Sequence, residues 1–177
     1  QVDERMINEL RKGNRVLWFP DSATYASQTV GGLFQTDYWN YRMFKSICDR
    51  IGCPASPGTL GLLTSPEHPL FTRFPTDSHT NWQWYSIIKQ SYPLILDRMP
   101  AAYRPIVQVI DNVERNHKLG LIFEFNVEGG KLLICMANLD NVKDKPEVRS
   151  LYNSMIQYMK SSAFSPNTNL SIEALTD

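Results

Sequence analysis

The stretch SHTNWQWYSIIKQ, residues 78–90, concentrates side chains that could bind a sugar. Indole and phenol rings offer flat apolar faces on which a pyranose can stack, and neighbouring amide and imidazole groups can hydrogen-bond its hydroxyls. The candidate binding residues here are His79, Asn81, Trp82, Trp84 and Tyr85. Their types and proximity make a carbohydrate-binding aromatic platform one hypothesis for this chain.

A packed helix is the competing interpretation of the same stretch. Trp82, Tyr85 and Ile88 are three residues apart, which is the spacing of one helical stripe. This spacing favours packing of Trp82 and Tyr85 in the core or against another domain. Trp84 falls off that stripe, and we expect it to be exposed.

A second polar cluster follows a predicted strand in VIDNVERNHKLG, residues 109–120. Asp111, Asn112 and His117 are its candidate binding residues, and the cluster could form a site, a solvated connection or a docking surface. Asp111 and Asp140 both follow predicted strands, where ligands often bind in α/β proteins. Acidic residues also cap turns at such positions, and we favour that role for both.

The usual catalytic motifs are missing from the sequence. It has no GxSxG or GxCxG nucleophile elbow and no glycine-rich phosphate loop, and Cys135 lies in the apolar run LLICMA, which predicts a buried thiol. The three histidines, His68, His79 and His117, lack metal-ligand spacing. We therefore predict no catalytic residue, no metal and no cofactor. The carboxylates that could pair for glycoside hydrolysis are Asp97, Asp111, Glu114, Glu124 and Asp140.

Length and composition indicate one globular domain over residues 1–177. Hydrophobic residues make up 42% of the chain, and 18 basic side chains balance 18 acidic ones. Basic residues are scattered among acids, so we expect no nucleic-acid partner, and no apolar run predicts a membrane span. The three cysteines are too few for a disulfide framework, although Cys48 and Cys53 could form a local bridge. A start at Gln1 without a leader suggests a piece of a larger polypeptide.

Hydrophobic periodicity predicts alternating helices and strands. The predicted helices cover residues 3–12, 37–51 and 148–159. The predicted strands cover residues 15–19, 59–63, 105–111, 118–125 and 131–137, with the glycines of NVEGG marking a hairpin-like turn between the last two. The three prolines of residues 65–75 predict an irregular loop. This alternation favours an α/β fold, a flavodoxin-like three-layer sandwich whose sheet is mostly parallel and ends in a hairpin-like pair.

Several blocks in order resemble the C-terminal region of bacterial glycoside hydrolase family 2 proteins, described as β-galactosidases or sugar-binding family 2 proteins. These blocks are RVLWFPD, GLFQTDYWNYRMFKSI, GTLGLL, HPLFTRFPT, NWQWYSIIKQSYPLILD, RPIVQVIDN, NHKLGLIFEFNVEGGKLLICMANLD and the closing helix. The likeness covers nearly the whole chain. It implies an upstream catalytic barrel that holds the two catalytic glutamates, so no catalytic residue transfers to this chain.

The chain also looks distantly like the class I glutamine amidotransferase-like accessory domains of other β-galactosidases, which lack the nucleophile. The resemblance implies a non-catalytic accessory domain whose partners are the other domains of the same polypeptide, and a parent enzyme that is periplasmic or secreted. Two alternatives stay open. One is a carbohydrate-binding module with a glycan as its partner, and the other is an amidotransferase-like hydrolase.

Overall fold

A computed structural model describes residues 2–31, 41–52, 58–112 and 115–176. The helices are α1 (Glu4–Arg11), α2 (Tyr41–Ile51), α3 (Tyr85–Ile88), α4 (Pro146–Lys160) and α5 (Ile172–Thr176). The strands are β1 (Arg15–Trp18), β2 (Gly61–Thr64), β3 (Leu94–Ile95), β4 (Val107–Ile110), β5 (Lys118–Val127) and β6 (Gly130–Cys135). Short 3-10 helices cover Ala26–Gln28, Pro69–Arg73, Trp82–Trp84 and Leu139–Val142.

The described strands form one mixed sheet in the order β1-β6-β5-β4-β2, with β3 also paired to β5. Only β1 and β6 run parallel among these strands, and every other pair is antiparallel. The expected flavodoxin-like, amidotransferase-like sandwich with a mostly parallel sheet is therefore wrong. The strands β4, β5 and β6 are joined by residues 111–117 and 128–129, and a parallel crossover needs about a dozen residues or more.

The hairpin between β5 and β6 is confirmed. Val127 pairs with Gly130, and the two residues between them, Glu128 and Gly129, have φ angles of 51° and 92°. Positive φ at both turn positions matches the right-handed twist of the strands, and glycine adopts it without steric cost. The local sequence thus determined this antiparallel pair.

Local signals also placed the first and last long helices. Asp3 caps α1 by accepting a hydrogen bond of 2.7 Å from the Met6 amide, and Gly13 ends the turn after it with a φ of 81°. On α4 the predicted apolar stripe is buried at Val148, Leu151 and Met155. The predicted start of α2 at residues 37–40 lies outside the described residues.

The proline-rich stretch 65–75 contains a short 3-10 helix, so the prediction of a fully irregular loop is wrong. His68 caps it, because its Nδ1 accepts a hydrogen bond of 3.2 Å from the Leu70 amide. Leu70 and Phe71 are buried, and the Ser154 hydroxyl of α4 donates to the Leu70 carbonyl. Proline at the first helical position is compatible with this turn, since its missing N–H would have had no partner there.

Segment 78–80 covers the open edge of β2. Leu63 bridges to His79, the Thr64 amide donates to the Ser78 carbonyl at 3.1 Å, and the Leu62 amide donates to the Thr80 hydroxyl at 2.8 Å. An uncovered edge strand invites pairing with other chains, so this cover protects the sheet. These contacts with β2 also fix the position of residues 78–80, which begin the stretch 78–90. Across the described ranges, no helix is both long and apolar enough to cross a membrane.

Candidate functional site

The structure exposes the aromatic residues that were expected to pack and buries the one expected to be exposed. Trp82 is 85% exposed and Tyr85 is 50% exposed, whereas Trp84 is 0% exposed. Both expectations for this stretch are therefore wrong. The buried stripe consists of Trp84, Ile87 and Ile88, which is also a helical spacing. Two overlapping stripes run through this segment, and the residue spacing alone could not select between them.

Hydrogen bonds hold the exposed Trp82 on a fixed backbone. The Asn81 carbonyl oxygen Oδ1 accepts from the Gln83 amide at 3.2 Å, and its Nδ2 donates to Asp77 Oδ2 at 3.0 Å. Gln83 Nε2 also donates to a backbone carbonyl at 2.8 Å. Asn81, predicted to bind hydroxyls, therefore caps the 3-10 helix instead.

The buried side chain of Trp84 anchors residues 78–90 to the core. Its Nε1 donates to the Thr76 hydroxyl at 2.8 Å, and its ring makes edge contacts with Phe71 and Phe74 at centroid distances of 6.3 and 5.1 Å. A buried indole needs a partner for its N–H, and Thr76 supplies one. This anchor fixes the position of the preceding exposed ring.

Trp82 and Tyr85 form what we call the aromatic surface. Their ring centroids are 5.7 Å apart and their planes are tilted by 57°, so they do not make a flat platform. Lys89 Nζ lies 5.4 Å from the Tyr85 ring centroid, within the range of a cation–π contact. His79 is exposed, and its Nδ1 lies 3.0 Å from the Thr80 carbonyl, which can only accept a hydrogen bond. Leu63, which pairs with His79, adds an apolar side chain that is 47% exposed.

Asp111 organises the turn after β4. Its carboxylate accepts from Arg115 Nη2 at 2.6 Å, from the Asn112 amide at 2.8 Å and from the His117 amide at 3.1 Å. Burial by itself would raise the pKa of Asp111, but these hydrogen bonds and the Arg115 charge outweigh it and hold the pKa below its usual value. This is the turn-forming role that the sequence favoured.

Asn112 and His117 join the same structural network. Asn112 is buried, and its Oδ1 accepts from the Arg115 amide at 3.0 Å. His117 Nδ1 lies 2.7 Å from Asp97 Oδ2, and the Lys118 amide donates to Asp97 Oδ1 at 2.7 Å. The His117 hydrogen bond, followed by that of the Lys118 amide, lowers the pKa of Asp97. Within the described ranges no hydroxyl or thiol hydrogen-bonds to His117.

Other chemistry-bearing residues serve the fold. The Cys135 thiol is completely buried, and burial raises its pKa to about 12, so it stays protonated and inaccessible. Cys48 is a free thiol, while Cys53 and Glu114 lie outside the described residues. Glu124 Oε2 accepts from the Tyr158 hydroxyl at 2.9 Å, and burial raises the pKa of Glu124. The residues that the structure describes contain no group of three or more potential metal ligands.

A large apolar cavity of about 360 Å³ lies against one face of the sheet. Trp18, Phe123 and Ile134 form its floor, and among the described lining residues only Arg98 is charged. Among the described residues, its lining holds no histidine and no carboxylate, the side chains that most often act as general acid and base. The cavity therefore gives no support to a hydrolytic active site.

The aromatic surface and the Asp111 network are two separate clusters in this structure, with no hydrogen bond between them in the described ranges. Lys89 and Leu63 were missed by sequence reasoning, because neither residue type signals a site without its neighbours. A family model described as "Domain of unknown function (DUF8487)" matches residues 1–177. No curated protein matches the chain.

Proposed function

The chain belongs to the family described as a domain of unknown function, DUF8487, and we propose that it is a non-catalytic accessory domain of a family 2 glycoside hydrolase. In this proposal the domain packs on the other domains of the same polypeptide through the aromatic surface of Trp82 and Tyr85. Its role is to brace the catalytic part of the enzyme in carbohydrate degradation.

The exposed Trp82, held on a fixed backbone, is the observation that carries this proposal. Burying a tryptophan removes about 150–250 Å² from water, which at about 25 cal/mol per Å² corresponds to roughly 4–6 kcal/mol. Because its backbone is already fixed, docking would cost little further ordering of the segment. Tryptophan and tyrosine, together with arginine, are also enriched among the residues that dominate binding energies at interfaces.

The chemistry of the described residues supports a non-catalytic role. The thiol of Cys135 is buried and protonated, and Asp111, Glu124 and Asp97 are each engaged by a different partner. A retaining or inverting glycosidase instead needs two carboxyl groups that face each other across the substrate. The identity of the parent enzyme rests on the block resemblance of the sequence.

Hydrogen exchange in the longer polypeptide tests the docking. We expect amides of residues 78–90 to exchange more slowly when the chain is joined to the catalytic barrel than when it is alone. The double variant Trp82→Ala/Tyr85→Ala should remove that protection, whereas Ile51→Ala, at another exposed apolar position on α2, should keep it. Equal exchange in the joined and isolated forms would contradict the docking.

Activity assays test the non-catalytic part separately. The isolated chain should hydrolyse no nitrophenyl glycoside, because the carboxylates of Asp97, Asp111 and Glu124 are each held by a separate partner. Turnover by the isolated chain that a single substitution within it abolishes would show that the domain is itself an enzyme.

Glycan binding at the aromatic surface is the second candidate, and the 85% exposure of Trp82 is the observation that favours it. The tilt of 57° between the rings suits a bent oligosaccharide better than a flat one. Titration with galactosides should then shift the tryptophan fluorescence of the wild type but not that of Trp82→Phe. An unchanged wild-type spectrum at saturating sugar would count against this candidate.

A further inference from the structure

A second cleft, of about 290 Å³, opens where the parallel strands β1 and β6 end. Phe19 and Asp21 follow β1, Asn138 and Asp140 follow β6, and Tyr152 projects from α4. We call this group of five residues the strand-end cleft. The carboxyl ends of parallel strands are where open α/β sheets bind ligands, because the chains diverge there and leave a crevice. In this mixed sheet, β1 and β6 are the only described pair that can form such a crevice.

Hydrogen bonds fix both loops that form the strand-end cleft. The Tyr92 hydroxyl donates to the Pro20 carbonyl at 2.6 Å, and the Tyr92 amide donates to the Met136 carbonyl at 2.9 Å. The Asn138 amide donates to the Gln90 carbonyl at 2.9 Å. Burial is the main reason why the pKa of Tyr92 is raised to about 12, so its phenol keeps the proton that it donates. The cleft is thus formed before any ligand arrives.

One wall of the strand-end cleft is aromatic. The rings of Phe19 and Tyr152 stack with a centroid distance of 6.2 Å and an angle of 24° between their planes. Tyr152 is 48% exposed, whereas Leu151 and Met155 on the same helix α4 are buried. Exposed aromatic rings beside a concave surface can pack against the C–H groups of a sugar ring.

The strand-end cleft also offers uncommitted polar groups. Among the described residues, the side chains of Ser22, Asn138 and Asp140 form no hydrogen bond with other protein groups, so the turn-capping role expected for Asp140 is wrong. Asp21 uses Oδ2 to accept from the Thr24 amide and hydroxyl, both at 2.9 Å. The cleft therefore presents an amide, a hydroxyl and carboxylate oxygens, which can both donate to and accept from hydroxyl groups.

The charge of the strand-end cleft restricts its ligand. Asp21 and Asp140 are acidic, and none of the lining residues that the structure describes is a lysine, arginine or histidine. The hydrogen bonds from the Thr24 amide and hydroxyl lower the pKa of Asp21, so it is ionised at neutral pH. Two carboxylates repel an anionic ligand and attract a cationic one. The volume of about 290 Å³ lies just below the range for ligand pockets, about 300–1,000 Å³, which suits a single ring.

We propose that the strand-end cleft binds one pyranose ring that is either uncharged or carries an amino group. The sugar ring packs beside Phe19 and Tyr152, and its hydroxyls hydrogen-bond to Asn138 and Asp140. This site shares no residue with the aromatic surface, so it does not depend on the proposed function.

Amide chemical shifts of the full 177-residue chain test the proposal. The probes are methyl glycosides of glucose, galactose and mannose, together with glucosamine and glucuronate. At least one uncharged or amino probe should give saturable shifts at residues 19–22 and 137–140. Glucuronate should bind at least about tenfold more weakly than glucosamine, and added salt should reduce that difference.

Matched variants separate this cleft from other sites. Asn138→Ala and Tyr152→Ala should each weaken binding about tenfold, and Asp140→Asn should narrow the preference for glucosamine over glucuronate. Trp82→Ala should leave these shifts unchanged. Unchanged amide spectra of the free variants establish that they remain folded.

Three results would overturn the proposal. One is the absence of saturable shifts at these amides up to about 50 mM of every probe, a concentration that would reveal even a millimolar Kd. Another is binding that survives both Asn138→Ala and Tyr152→Ala. The third is a set of shifts confined to residues 79–85 that Trp82→Ala abolishes, which would assign the sugar to the aromatic surface.

Discussion

The guanidinium of Arg115 donates two hydrogen bonds to Oδ1 of Asp111, from Nη2 at 2.6 Å and from Nε at 3.0 Å. The Asp111 side chain is 1% exposed, so this ion pair is almost completely shielded on its acidic side. Arg115 Nη2 also donates to the Gly58 carbonyl at 3.2 Å, which ties the turn after β4 to the chain entering β2. The pair therefore joins two loops that are far apart in sequence.

Replacing Asp111 by asparagine should lower the free energy of unfolding by about 2–3 kcal/mol, because hydrogen bonds to a charged group are lost. Arg115 would also lose its ionised partner. The same substitution at Asp97, whose side chain is 47% exposed, should cost less than about 1 kcal/mol. Urea unfolding of the two variants provides the comparison. Equal small losses in the free energy of unfolding would show that the buried Asp111–Arg115 pair stabilises the fold no more than the exposed Asp97–His117 pair.

His68 should make stability depend on pH. Burial lowers its pKa below the usual 6.5, so the unfolded chain takes up the proton first as the pH falls. The contribution of neutral His68 is complete above about pH 6.5 and is lost as the pH falls through the lowered pKa. His68→Asn keeps a cap acceptor without titrating, so urea midpoints of this variant should fall less between pH 7 and pH 5.

His79→Asn is the matched control for that experiment. His68 still titrates in this variant, so the slope of stability against pH should remain that of the wild type. If stability changes with pH equally in the wild type and in His68→Asn, protonation of His68 does not contribute to the pH dependence.

The two neighbouring tryptophans should differ sharply in their effect on stability. Trp84→Ala should cost about 3–5 kcal/mol, since it removes a fully buried ring from between Phe71 and Phe74. Trp82→Ala should change stability by no more than about 0.5 kcal/mol, because its ring is exposed. Thermal or urea unfolding of both variants decides the matter. A large loss from Trp82→Ala would show that its ring is packed against the protein.

Gly130 should tolerate no side chain. A Cβ added there would lie 2.5 Å from the Leu10 carbonyl oxygen and 2.7 Å from the Leu10 Cα, and backbone atoms cannot move aside as a flexible side chain can. Gly130→Ala should therefore destabilise the protein by about 1–3 kcal/mol. Gly31→Ala, where a Cβ meets none of the described residues within 4 Å, should be within about 0.5 kcal/mol of the wild type. Similar unfolding midpoints for the two variants would contradict the close approach of α1 to β6.

Features encoded by neighbouring residues were predictable from the sequence. Asp3 caps the start of α1, and Gly13 ends the turn after this helix. Glu128 and Gly129 set the hairpin of β5 and β6. Cys135 lies in a run of apolar residues, and its burial followed from that run. In each case the free energy that favours the local structure comes from groups only a few residues apart. A short window of sequence therefore contains the necessary information.

Strand direction and side-chain exposure were decided only by the tertiary structure. The sheet is mostly antiparallel because short connections join β4, β5 and β6, whereas the sequence shows elements but not which ones pair. Trp84 is buried because Phe71 and Phe74 pack on it, and its spacing alone left an equivalent stripe through Trp82. The strand-end cleft combines Asp21 with Asn138 for the same reason: parallel pairing of β1 and β6 brings together residues that no local pattern connects.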